Sequence, residues 1–192
     1  MGEEGTNMSV YIGMLRGVNV GGNKMIKMEV LREICAALKF RGAQTYVQSG
    51  NVVFTCDEKH ATAVELKLAA AIEKKLKFRP DVMVRTTVEM RAVVARNPFA
   101  KRRGINPKAL LVTFLTSEPD PDGLKTVRAM KTEPEELHIH GREAFTYFPN
   151  GMGRPKVVWT KVEKILKVSG TGRNWNSVVA LLEMAEALEA GE

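Results

Sequence analysis

Residues 44–56 read QTYVQSGNVVFTC, two short β-type runs joined through Ser49-Gly50-Asn51. A glycine between short polar residues supplies the positive φ of a tight hairpin, so the two runs are expected to pair antiparallel. What stands on either side of this hairpin decides the class of fold. Upstream, VYIGML at residues 10–15 is apolar at nearly every position, the pattern of a strand covered on both faces. Val30, Leu31, Ile34 and Leu38 then recur at helical spacing, with Gly42 as the expected stop. Downstream, Thr62 and Glu65 have the spacing of a capping box, and Val64, Leu68, Ala71, Ile72 and Leu76 draw the apolar stripe of a second helix. Pro80 ends that helix and VMV at residues 82–84 forms another strand. The order is βαββαβ, the ferredoxin-like arrangement of an α+β fold.

A second capping box, Thr86 with Glu89, opens a short helix bearing Met90, Val93 and Val94. The basic loop KRRGINPK at residues 101–108 marks a boundary. Beyond it ALLVTFLT is a strand, and Asp120-Pro121 supplies an N-cap and a first-turn proline ahead of Leu124, Val127 and Met130. ELHIH and EAFTYF meet at Gly141-Arg142 as a second hairpin. Pro155 is read as opening a helix with Val158, Val162, Ile165 and Leu166 inward, and a last helix runs through Trp175, Val178, Val179 and Leu182. The second half therefore reads βαββαα. The expectation is two ferredoxin-like subdomains packed together, residues 9–100 with a trailing helix and residues 101–192 ending in extra helices, after a disordered start at residues 1–8.

Composition sets the class of protein. A chain of 192 residues with 44% hydrophobic and 27% charged residues suits a soluble globular protein. No apolar run approaches the roughly 20 residues of a membrane span, and the start MGEEGTNM lacks the build of a signal peptide, so a cytoplasmic protein without a membrane partner is expected. Cys35 and Cys56 read as small buried hydrophobes. A net charge of +7 and a pI near 9.5 favour an anionic partner.

The chemistry gathers in glycine-bearing turns. LRGVNVGGNKMIKM at residues 15–28 fails as a Walker A loop, because Asn23 stands where lysine belongs and the following hydroxyl is missing. It fails as a dinucleotide fingerprint too, because Asn19 holds the middle glycine position. What survives is more general: a glycine turn that delivers free amides to a helix start attracts anions. GMGRPK at residues 151–156 and GTGRNWN at residues 170–176 repeat the arrangement with guanidinium or ammonium beside it. Each loop also reads as an ordinary turn whose glycines close it and whose Asn174 caps a helix.

In a ferredoxin-like sheet the end of the first strand lies beside the start of the third, so the opening loop and the hairpin turn should meet. The candidate anion-binding residues are Arg16, Asn19, Gly21, Gly22, Lys24, Gln48, Ser49, Asn51, Arg154, Lys156, Arg173, Asn174 and Asn176. This cluster holds no carboxylate or histidine to serve as a general base, so no catalytic residue is assigned and binding is favoured over catalysis. No cofactor or metal is expected. His138 and His140 share a strand face with Glu136 and Arg142, but no motif supplies a third ligand. The alternatives are binding of a nucleic-acid backbone along a basic rim, or a protein-interaction module. Tyr11 stands at the base-stacking position of an RNA-recognition motif, yet Asn51 and Val53 replace the partner aromatics. The sequence leaves ligand identity and oligomeric state open.

Several uncommon strings in order, LRGVNVGGNKMIKM, TYVQSGNVVF, VRT, NPF, GMGRPK and TGRNWNSV, resemble domain-of-unknown-function family 1697 from about Val10 to Leu182. The resemblance implies a bacterial cytoplasmic protein of two ferredoxin-like subdomains, and it implies no activity. The family's recurrent motifs fall on Arg16-Gly17, Asn19, Gly21-Gly22, Lys27-Met28, Gln48-Ser49-Gly50-Asn51, Asn97-Pro98-Phe99, Gly153, Lys156 and Arg173-Asn174-Trp175-Asn176. Pro155 stands where the family typically has serine, which removes a hydroxyl from that loop.

Overall fold

The computed structural model describes residues 8–191, so the expected disordered start lies outside the described residues except for Met8. The chain runs β1 (Ser9–Leu15), α1 (Met28–Ala37), β2 (Arg41–Tyr46), β3 (Asn51–Cys56), α2 (Ala61–Leu76), β4 (Val82–Thr86) and α3 (Thr87–Ala95). It continues through β5 (Leu110–Leu115), α4 (Pro121–Arg128), β6 (Glu136–His140), β7 (Glu143–Tyr147), α5 (Trp159–Leu166), β8 (Gly170–Asn174) and α6 (Trp175–Ala190). The fold is α+β, with two similar antiparallel four-stranded sheets in the orders β2-β3-β1-β4 and β6-β7-β5-β8. Two compact units follow from the contacts: the first ends at Arg91 and takes up the chain again from Ala180, and the second is Ala92–Val179.

In the first unit alternate residues of the sheet, Tyr11, Leu15, Val52, Phe54 and Val84, face α1 and α2 and pack on Leu31, Ile34, Leu68 and Ile72. Phe40 stacks on Phe54 with ring centroids 4.5 Å apart. Val10, Ile12, Met14, Val53 and Met83 on the opposite sheet face are buried as well, which is why β1 is apolar at successive positions. The hairpin turns at Gly50, where φ is +73° and a Cβ would come within 2.5 Å of Val18 and 2.9 Å of Leu15. Only glycine meets both conditions. Thr86 and Glu89 form the expected capping box: Glu89 N–H donates to Thr86 Oγ1 at 3.2 Å and Thr86 N–H to Glu89 Oε2 at 2.8 Å.

Two local expectations for this unit fail. Thr62 and Glu65 do not cap α2, which starts after His60 without a side-chain cap; Glu65 Oε1 instead accepts from Val84 N–H at 2.8 Å and ties the helix to β4. Helix α1 gives way at Lys39 (φ +62°), and Gly42 lies inside β2, where a Cβ would sit 2.9 Å from Leu188. That glycine serves close approach.

In the second unit Val127, Ile139, Ala144, Phe148, Val162 and Leu166 form the core between sheet and helices. Asp120 caps α4 as expected, accepting from Gly123 N–H at 3.0 Å, with Pro121 in the first turn. The main departure is at the end. Residues 170–174, GTGRN, form the closing strand β8, paired with β5 from Leu111↔Asn174 to Leu115↔Gly170, so the unit reads βαββαβ before α6 and not βαββαα. A Cβ on Gly170 would stand 2.7 Å from Thr113, and one on Gly172 2.8 Å from Leu111. The glycines let β8 lie beneath side chains of β5, a use of glycine that sequence alone does not separate from turn formation. Pro155 does not open α5, which begins at Trp159.

Candidate functional site

The segment between β1 and α1, residues 16–27, bends through Gly17, Asn19, Gly21, Gly22 and Lys24, all at positive φ. Asn19 holds it in shape. Its Nδ2 donates to Ile26 O at 2.9 Å and to Gln48 O at 2.7 Å, and its Oδ1 accepts from Ile26 N–H at 2.8 Å. One side chain thus closes the loop on itself and fastens it to the hairpin turn. Leu15 N–H donates to Gly50 O at 2.9 Å at the root of the same contact. The opening loop and the QSGN turn therefore meet.

Within that junction the candidate residues have different duties. Asn51 is buried and its Nδ2 donates to Ser49 Oγ at 2.8 Å and to Tyr46 O at 3.2 Å, so both side chains shape the turn from within. Arg16 lies 3.5 Å from Asp81, the residue before β4. Gly21 and Gly22 have open space where a Cβ would go, so φ rather than packing selects them. Two cations outside the candidate cluster, Lys27 of the Lys27-Met28 motif and Arg32, stand at the start of α1. Lys27 occupies the N-cap position of α1, whose first-turn amides receive no side-chain cap. Arg32, five residues on, donates to Thr45 Oγ1 at 2.6 Å. Lys27, Met28, Glu29, Arg32 and Gln48 line a cavity of about 300 Å³.

The other two glycine loops, in the second unit, are differently placed. Lys156 N–H and Val157 N–H both donate to Glu135 Oε2, at 2.9 and 3.2 Å, so the amides of GMGRPK already hold an anion supplied by the chain. Arg154 and the Lys156 residue itself are exposed. In β8, which pairs with β5 on one side, Gly170 N–H donates to Glu163 Oε1 at 2.7 Å, and Arg173 is 6% exposed, donating to Thr171 Oγ1 at 2.7 Å and to Gly172 O at 2.9 Å. Burial pushes its guanidinium down to about 10, still far above neutrality, so the charge stays. Asn174 Nδ2 donates to Lys108 O at 2.9 Å while its Oδ1 accepts from Asn176 N–H at 3.1 Å, the helix-capping role open to it from sequence.

Arg85 belongs to the VRT string but not to the candidate residues. It is 1% exposed and donates to Val84 O at 2.9 Å. It pairs with Ile12 of β1 as Arg173 pairs with Val112 of β5, so each unit buries an arginine at the same place of its fourth strand. Reading GTGRN as a strand would have exposed this equivalence with VMVRT.

The remaining candidates are spoken for by packing. Tyr11 is buried, donates to Glu58 O at 2.6 Å and has its phenol pushed up mainly by burial, so it offers no face to a base. His138 packs edge-on to Phe99 and His140 leans on Phe145. Among the described residues no three His, Cys, Asp or Glu side chains gather as a metal would require, and no helix is long and apolar enough to cross a membrane. Cys35 and Cys56 are free and buried, the first thiol pushed up to about 12 by burial.

The chain resembles, with a TM-score of 0.70 and 24% identity, the solved structure of the conserved bacterial protein SP0830 from Streptococcus pneumoniae, over 93% of this chain and 99% of that one. At this identity the likeness is one of fold. No functionally curated protein matches. A family model described as "Protein of unknown function (DUF1697)" matches residues 8–145, most of the chain, including the Asn19 clamp and the hairpin, and the chain belongs to that family.

Proposed function

We propose that the first unit binds a small phosphate- or carboxylate-bearing molecule at the start of α1. The observation that carries this reading is the cavity of about 300 Å³ where Lys27, Arg32 and Gln48 surround a helix start that no side chain caps. Helix-start amides carry a partial positive charge, and two cations beside them outweigh the single carboxylate of Glu29. The volume is at the small end for ligand cavities. With no histidine in the lining and Glu29 as its only carboxylate, binding is favoured over catalysis. Of the three glycine loops named from sequence, this one alone remains in the proposal: Glu135 occupies the amides of the second, and the third is the strand β8, with Glu163 accepting from its Gly170 N–H.

The strand orders also support reading each unit as ferredoxin-like, and the absence of a long apolar helix among the described residues is compatible with a cytoplasmic protein.

The test is thermal unfolding with inorganic phosphate and citrate at constant ionic strength. A saturable rise in melting temperature, abolished in the Lys27→Ala/Arg32→Ala double variant, is expected. No rise, or one unchanged in the variant, overturns the reading.

A further inference from the structure

The two units treat their helix pairs differently. In the second, Gly123 of α4 lies so close to α5 that a Cβ there would stand 2.1 Å from Ile165 O. The corresponding pair in the first unit, α1 and α2, leaves a groove of about 710 Å³. Ala37, Leu38, Ala70 and Ala71 line it, and the exposed Ala37 and Ala70 stand where longer apolar side chains would close it. Helix α2, ATAVELKLAAAIEKKL, is apolar around most of its circumference although only Val64, Leu68, Ala69 and Ile72 are buried; Leu66 is 57% exposed. A surface helix ordinarily turns a polar face outward.

Charge narrows the occupant. The groove is flanked by Lys67, Lys74 and Lys75 against Glu33. Lys75 reaches Glu33 at 2.6 Å and Lys67 reaches Glu58 at 2.5 Å, while Lys74 makes no ion pair among the described residues. Two copies of the chain joined groove to groove would set lysines against lysines. We infer that the α1–α2 groove docks an acidic amphipathic helix of a partner protein. Its apolar stripe lies on the alanines, whose short side chains admit a second helix closely, and its flanking carboxylate meets Lys74.

The experiment pans a display library of random peptides, about four helical turns long, against the full chain. Enrichment of sequences with apolar residues at i, i+3 and i+4 flanked by Asp and Glu is expected. Affinity of the best peptide should fall roughly tenfold in Ala70→Glu and in Lys74→Glu, both exposed changes, with folding checked by circular dichroism. Replacing the peptide's facing Glu by Lys should restore binding to Lys74→Glu alone. Absence of a consensus, a consensus that is not acidic and amphipathic, or affinity unchanged in both variants overturns the proposal. So does concentration-dependent dimerisation in sedimentation that Ala70→Glu abolishes, which assigns the groove to a second copy.

Discussion

Between β1 and α1 the chain takes residues 16–27; at the same place in the second unit, between β5 and α4, it takes only residues 116–120. The short connection ends in Asp120, whose carboxylate caps the helix, and the long one ends in Lys27, with no cap. The same contrast runs through the helix pairs, one brought together at Gly123 and the other left grooved. Glu135 extends it, since the second unit fills its own amide nest with a buried carboxylate. Two units of one topology thus differ in whether the helix after the first strand is capped and whether the helix pair is closed. Open valences collect in the first, which is where the proposals above lie.

The strongest way to break this contrast is to force the closed helix pair apart. Gly123→Ala drives a methyl into the Ile165 carbonyl and is expected to cost about 3 kcal/mol, with a lower urea midpoint and an unchanged slope. Ala70→Leu in the open pair, by contrast, should change stability by less than about 0.5 kcal/mol. A smaller effect comes from emptying the occupied nest. Glu135→Ala removes the acceptor of Lys156 N–H and Val157 N–H and should cost about 2 kcal/mol, partly restored by sulfate over chloride at equal ionic strength. An identical sulfate response in the parent chain would show that the nest was never closed.

The smallest effect concerns the capped helix. Gly123 N–H, followed by Lys167 at 3.3 Å, holds the Asp120 carboxyl below its ordinary value of 3.8. A depressed value in the folded state means the contribution is complete above that ordinary value and lost as pH falls through the lower one. Asp120→Asn keeps an acceptor for the cap but does not titrate, so its melting temperature should lie slightly beneath that of the parent at neutrality and converge on it as pH falls through the lowered value.

How much of this was legible beforehand follows from what each residue reports locally. The hairpin at Gly50, the capping box at Thr86 and the Asp120 cap depend on neighbours a few residues away, and their spacing gave them up. The meeting of loop and turn followed from strand order. Glu135 left no trace, because its donors lie in a distant segment and a lone glutamate carries no spacing signal. GTGRN was misread because a glycine that opens a turn and a glycine that lets one strand pass under another's side chains are the same letter. The Arg32 contribution and the α1–α2 groove are properties of tertiary packing, with the overly apolar α2 as their only foreshadowing.

Both fourth strands end where a helix begins: Thr86 is followed by Thr87 of α3 and Asn174 by Trp175 of α6, with no residue between. Such a seam couples phase. The alternation of the strand fixes the azimuth of the helix, so one inserted residue would rotate every following side chain by about 100° with no loop to absorb it. Insertions that a surface loop tolerates are therefore excluded at these two joints, which act as the rulers of the chain.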